Sequence, residues 1–251
     1  MTRTVVISGG GSGIGRATAR CFAADGARVV LVGRRPDALA RAAAELPDAV
    51  TVPADLATAA GARQVARTVA EECGAVDVLV HGAGGNGGLE PEPADVDRED
   101  PLAVAEHDWA LNFRLNTLTA VLLTEALRPR LASPGGRVLF LSSLAALRGS
   151  GSAAYAASKA ALHPYAFDLA RELGPRGVTV NVVAPGYVEA TEFFGSGLPA
   201  ERRERLVGET FTGRAGAPGD VAETLRWLAS HAAGHITGQV IQVNGGAHLG
   251  R

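Results

Sequence analysis

The sequence predicts an α/β fold: a doubly wound, mostly parallel sheet of about seven strands with helices on both faces. Three observations carry that expectation. Short β-branched runs alternate with helical patterns along the whole chain. The runs are continuously apolar rather than alternating, as strands covered on both sides are. A glycine-rich turn joins the first run to the first helical pattern. The chain has 251 residues and no break in composition, so residues 1–251 read as one domain.

Thr4 to Ser8 is the first strand and Ile14 to Ala24 the first helix. Val29 to Val32 and Asp37 to Leu46 form the second pair, Val50 to Val52 and Thr58 to Cys73 the third. Val76 to Val80 is the fourth strand, and a long helix is expected from about Asp108 to Leu127. Val138 to Leu141, a helix carrying Tyr155 and Lys159, and Val178 to Val183 follow. Val221 to Ser230 is helical, and Val240 to Val243 closes the sheet. Two stretches interrupt this rhythm. Glu90 to Asp100 is acidic and proline-punctuated, and reads as a solvated surface insertion. Tyr187 to Thr212 follows the sixth strand, at the edge where open α/β sheets hold ligands, and carries Phe193, Phe194, Leu198 and Phe211. It reads as a lid.

Composition excludes several classes of function. Hydrophobic residues make up 47% and charged ones 20%, which describes a globular chain. A formal net charge of −2 with scattered arginines leaves no footprint for nucleic acid or an anionic membrane. Arg202, Arg203 and Arg205 interleave with Glu201 and Glu204 as a solvated helix face. Cys21 and Cys73, the only cysteines, have no metal-ligand spacing. No apolar stretch approaches a membrane span, and the first strand begins at Thr4, so a soluble, cytoplasmic protein is expected.

Gly9-Gly10-Gly11-Ser12-Gly13-Ile14-Gly15 lies between a strand and a helix. Glycines let the backbone approach a pyrophosphate, and the helix N-terminus supplies N–H donors and a favourable dipole. No Lys-Ser/Thr follows, which separates the turn from a nucleoside-triphosphate loop. A Rossmann-type dinucleotide site usually carries an acid at the end of the second strand for the ribose 2′-hydroxyl. Here Gly33, Arg34 and Arg35 occupy that end. With no carboxylate to repel a 2′-phosphate and a guanidinium to bind one, NADP(H) is favoured, with NAD(H) as the alternative.

Tyr155 and Lys159 sit four apart in an Ala-rich helical stretch, so both emerge on one face. The chain has 24 basic residues, and Lys159 is its only lysine. A position that keeps an ammonium in a chain otherwise using Arg points to proton chemistry, because a cation beside a phenol lowers its pKa.

With these two features in hand, the chain resembles the classical short-chain dehydrogenase/reductase family over essentially its whole length. Gly9, Ser12, Gly13, Ile14 and Gly15 match the cofactor turn, and Asp55-Leu56 the acid that holds adenine. Gly82, Ala83 and Gly84, after His81, stand where the family has Asn-Asn-Ala-Gly. Asn116 matches the structural and proton-relay Asn, and Ser142-Ser143 ends the fifth strand where the catalytic Ser belongs. Pro185, Gly186, Val188 and Thr191 match the segment that meets the nicotinamide, and Gly238-Gln239 with Asn244-Gly245-Gly246 the C-terminal signature.

The resemblance implies hydride transfer between nicotinamide and a carbonyl or secondary alcohol, as in a carbonyl reductase or alcohol dehydrogenase. Tyr155 would be the general acid or base, and Lys159 would lower its pKa and hold the nicotinamide ribose. Ser143 would bond the substrate oxygen, and Asn116 would hold a water linking Lys159 to solvent. The family also implies a homodimer or homotetramer built on the helices of Asn116 and Tyr155. Leu111, Leu115, Leu118 and Leu122 could face either the sheet or a partner. Two other readings stay open: a 3-oxoacyl-thioester (acyl-carrier-protein or polyketide) ketoreductase, using Arg148 and the Arg202 to Arg205 group, and a non-catalytic NADP(H)-binding scaffold or sensor.

Four departures stand out. Counting from the fifth strand favours Ser143, whereas counting back from Tyr155 favours Ser142. Thr191 falls one residue late, with Ala190 in the usual slot. His81 is expected to be a packed, hydrogen-bonded residue below the cofactor. Pro164 removes a backbone bond to Ala160 and should kink the helix.

Overall fold

The computed structural model describes residues 2–87, 96–194 and 197–250. Its strands are β1 (Thr4–Ser8), β2 (Arg28–Gly33), β3 (Ala49–Pro53), β4 (Val78–His81), β5 (Arg137–Leu141), β6 (Thr179–Pro185) and β7 (Val240–Val243). They form one sheet in the order β3-β2-β1-β4-β5-β6-β7, every neighbouring pair parallel. Ile7 lies between Leu31 and Val80 in the register, and Leu139 between Val80 and Asn181.

Successive strand residues face opposite sides, so these apolar runs build two cores. Val6, Val30, Leu79, Val138 and Phe140 pack with Leu123, Leu162 and Leu169 on one face. Ile7, Leu31, Val80 and Leu139 pack with Phe22, Leu39 and Leu225 on the other. The covering helices are α1 (Gly13–Ala24), α2 (Pro36–Ala43), α3 (Ala59–Glu72), α4 (Pro101–Phe113), α5 (Thr119–Leu127), α6 (Ala145–Arg148), α7 (Ala153–Ala160), α8 (Leu162–Leu173), α9 (Ala200–Gly208) and α10 (Pro218–Leu228).

Several boundaries differ from the sequence expectation, each for a local reason. The long helix starts at Pro101 rather than near Asp108, because the Asp100 carboxylate accepts from the Leu102 amide at 2.8 Å and Pro101 fits the first helical position. Asp100 is therefore a helix cap, while Glu90, Glu92 and Asp95 of the same acidic stretch lie outside the described residues. That helix is divided by a π turn, Arg114–Leu118, centred on Asn116. Its buried residues are Asn112, Asn116, Thr119, Ala120, Leu123, Thr124 and Leu127; Leu111, Leu115 and Leu122 are half-buried, and Leu118 is exposed with Trp109 and Phe113. The stretch from Tyr187 to Thr212 is not all irregular, since it contains α9, whose Arg and Glu side chains face solvent. α7 gives way to α8 at Ala161, three residues before Pro164. No helix among the described residues is long and apolar enough to cross a membrane.

Candidate active site

The carboxyl ends of β1, β4, β5 and β6 meet along one edge of the sheet, and the residues singled out above gather there. The turn after β1 is compact because its glycines touch backbone. A Cβ on Gly9, which has φ +71°, would lie 2.6 Å from the Gly82 carbonyl oxygen, and one on Gly15 would collide with the Gly9 carbonyl. Ser12 precedes α1 without a side-chain cap, so the first amides of the helix face the turn unclaimed by it. That is a cradle a pyrophosphate fits.

Arg35 ends this side of the groove, its guanidinium within 3.4 Å of Ser12 Oγ and paired with Glu192. The pair holds the Glu192 carboxyl below its usual range. Arg34, exposed beside it, also has a partner. Asp55, just beyond β3, accepts from the Ala57 amide at 3.0 Å, with Leu56 buried next to it. Gly82 and Ala83 are held by Ser8, through its carbonyl at 3.1 Å and its hydroxyl at 3.1 Å. Gly84 is flush against the neighbouring machinery. A Cβ there would stand 2.5 Å from Asn116 Oδ1 and 2.8 Å from Lys159 Nζ.

Asn116 is buried, and its side chain is committed to structure. Oδ1 accepts from the Gly85 amide, and Nδ2 lies 2.9–3.0 Å from the carbonyls of Gly85 and Asn112 and from Ser158 Oγ. It ties the loop after β4 to α7. On α7, Tyr155 and Lys159 share one buried face, each under a tenth exposed. Lys159 Nζ donates to the Leu141 carbonyl at 2.9 Å. Burial pushes the Tyr155 phenol up to about 12, partly offset by a hydrogen bond with Ser143, and pulls Lys159 down to about 8. Desolvation is the largest influence on both groups, and the ammonium points to Leu141.

The two serines make different contacts. Ser143 is the hydroxyl beside Tyr155. Ser142 is buried and engaged with the Lys159 carbonyl and His163. His81, as expected, is packed and bonded: Nε2 lies 2.9 Å from Thr124 Oγ1, and the ring stacks on Phe140 at 4.5 Å. Burial pulls its pKa down to about 3.

Over this floor lies the first part of the expected lid. β6 ends at Pro185, and a Cβ on Gly186 would meet the side chain of Asn244, so the two loops touch. Val188 is buried and bridges to Gly216. Ala190, just before Thr191, adopts φ +56°. Thr191 then reaches Gly13, its methyl 3.4 Å from where a Cβ would stand. Phe193 packs on Tyr155 with ring centroids 5.5 Å apart, and Phe194 bridges Phe193 and Tyr187. Among the described residues, no group of three or more His, Cys, Asp or Glu could hold a metal.

Two neighbours escaped the sequence reading. His163 was legible in principle, four residues after Lys159 on a helical repeat. Glu192 carried no local signal, because its partner Arg35 lies 157 residues away.

Residues 9–248 match the family model described as Enoyl-(Acyl carrier protein) reductase. The chain is 31% identical to 3-oxoacyl-(acyl-carrier-protein) reductase FabG of Escherichia coli, covering 98% of each protein. It resembles the crystal structure of the short-chain dehydrogenase/reductase SDR:Glucose/ribitol dehydrogenase from Brucella melitensis, with a TM-score of 0.84 at 32% identity over 99% of this chain and 97% of that one. The Pseudomonas aeruginosa RhlG/NADP active-site complex aligns with a TM-score of 0.84 at 30% identity, over 98% and 96% of the two chains. An all-parallel seven-stranded sheet, a glycine cradle after β1 and this agreement over nearly every residue lead to one conclusion: the chain belongs to the classical short-chain dehydrogenase/reductase family, oxidoreductases acting on CH–OH and C=O groups.

Proposed function

We propose that the protein is an NADP(H)-dependent carbonyl reductase or alcohol dehydrogenase, with residues 1–251 acting as a single catalytic domain. The observation that carries this reading is one corner: the Ser143 hydroxyl against the Tyr155 phenol, with Lys159 one helical turn away and its Nζ beside Gly84 of the cofactor cradle. The nicotinamide, when bound, supplies or takes up the hydride. Gly9, Ser12, Gly13, Ile14 and Gly15 hold the pyrophosphate, and Asp55 and Leu56 flank the adenine. Arg35 and Arg34 take the 2′-phosphate, while Gly82, Ala83, Gly84, Pro185, Gly186, Val188 and Thr191 line the nicotinamide half. Tyr155 gives its proton to the substrate oxygen during reduction and removes it during oxidation. Its raised pKa keeps the phenol protonated at neutral pH, as an acid must be. Ser143 donates to the same substrate oxygen. Lys159, brought down to about 8, can return a proton near neutral pH. Asn116 holds the turn and α7 together so that this exchange reaches solvent.

Kinship with a 3-oxoacyl-(acyl-carrier-protein) reductase favours a thioester substrate as the second reading. Exposed Trp109, Phe113 and Leu118, with Phe167 on α8, support a face covered by a second copy, in a cytoplasmic homodimer or homotetramer. Purified protein with NADPH or NADH and a panel of ketones, aldehydes and 3-oxoacyl thioesters tests the reading. Turnover with KM for NADPH about tenfold or more below that for NADH is expected. Tyr155→Phe should lower kcat by roughly 10³-fold with the fold intact. Full activity in that variant would end the proposal.

A further inference from the structure

Three consecutive residues at the end of β5 contact α7 and the start of α8, each through a different atom. Leu141 offers its carbonyl to Lys159 Nζ, and Ser143 turns its hydroxyl to Tyr155. Between them, buried Ser142 places Oγ 3.1 Å from the Lys159 carbonyl and 2.8 Å from His163 Nε2. A hydroxyl carries one proton, and a carbonyl oxygen can only accept. The Ser142 proton therefore goes to Lys159, and Ser142 Oγ accepts from His163, whose Nε2 bears hydrogen. This assignment satisfies both contacts.

The place matters because the helix is broken there. Pro164 has no N–H, the Ala160 carbonyl loses its ordinary partner, and α7 gives way to α8 at Ala161. Lys159 lies two residues before the break. The Ser142–His163 contact spans the gap, bonded to Lys159 on one side and to His163 on the other. We propose that His163 is a positioning residue: through Ser142 it holds the main chain at Lys159, and with it the Lys159 ammonium and the Tyr155 phenol, in register with Ser143. The proposal rests on the proton-handling roles given above to Tyr155, Lys159 and Ser143. Ser142 becomes the strut rather than a second catalytic serine.

The test compares His163→Leu, which removes the donor, with His163→Gln, whose amide nitrogen reaches the Nε2 position, and His163→Asn, which is too short. With NADPH and acetoacetyl-CoA or ethyl acetoacetate, H163L and H163N should lose roughly tenfold in kcat with KM within about twofold, and H163Q should recover most of it. Ser142→Ala should match H163L, and the S142A/H163L pair should be no worse than either alone. Wild-type kcat in H163L, equal loss in H163Q, or additive losses in the pair would overturn the strut. If H163L does not fold, the H163Q and H163N comparison decides alone. Tyr155→Phe run alongside separates the two readings. Full activity there removes the proton-transfer reading, whereas inactive Y155F with fully active H163L removes only the strut. A readout without turnover is the ¹⁵N spectrum of the His163 imidazole at neutral pH. The Nε2–H tautomer is expected, and Nδ1–H would overturn the proposal.

Discussion

The corner where β5 meets α7 and the loop that crosses above it are built on opposite plans. At the corner, Lys159, Ser142, Asn116 and Tyr155 are each under a tenth exposed and tied by hydrogen bonds to backbone or to one another. The loop is held by aromatic contacts and by exposed ion pairs, Arg35 with Glu192 and Arg203 with Glu189. Such surface pairs are worth about 0–1 kcal/mol, whereas leaving a buried polar group unpaired costs about 1–3 kcal/mol. The difference separates two tasks. Proton transfer needs atoms fixed to fractions of an ångström, while admitting a substrate needs contacts that can be broken and remade.

The largest expected effect comes from disturbing the corner. Gly84→Ala puts a methyl against Asn116, which cannot yield because Gly85 holds it, and against Lys159. kcat/KM should fall on the order of 10²-fold, with about 1–3 kcal/mol lost in urea unfolding. Wild-type kinetics in that variant would mean the corner is softer than the loop.

Acid should find the same region. His81 has a folded pKa of about 3 against an ordinary value near 6.5, so below that ordinary value the unfolded chain binds more protons. Its contribution is complete above pH ~6.5 and is lost as pH falls toward 3, at up to about 1.4 kcal/mol per pH unit. Half-buried His163, also lowered by burial, acts in the same direction. Urea midpoints at pH 7, 6 and 5 should fall in the wild type and fall less in His81→Asn.

The loop should respond more mildly and in a different parameter. Phe193→Ala removes the ring over Tyr155. KM for the carbonyl substrate should rise by a factor of roughly three to ten with kcat nearly unchanged, as loss of uniform binding predicts. A kcat loss as large as that in Gly84→Ala would erase the distinction between the regions. The smallest effect is expected at Ala190, whose φ of +56° suits glycine. Ala190→Gly should stabilise the protein by up to about 1 kcal/mol by thermal unfolding, or leave it unchanged where chain entropy offsets the relieved strain.

How far each region could be read from the sequence follows the same division. Tyr155 and Lys159 were legible because four residues on a helix share a face, and the cradle because glycines after a strand permit a close turn. The sheet was legible because continuous β-branched runs can be buried only from both sides. The π turn at Asn116 and the α9 helix inside the loop were not legible, since local pattern does not reveal a one-residue shift in a ladder or a polar helix on the surface.

By itself, then, the sequence determined the parallel sheet through its repeated apolar runs, and the glycine cradle and the phenol–ammonium pair through residues within one or two helical turns of each other. Only the tertiary structure decided that Ser143 rather than Ser142 meets Tyr155, that Lys159 donates to the Leu141 carbonyl, and that His163 and Glu192 reach Ser142 and Arg35. Those partners are 12 to 157 residues apart. Contacts between such distant positions are set by how strands and helices pack, and local periodicity carries no record of that.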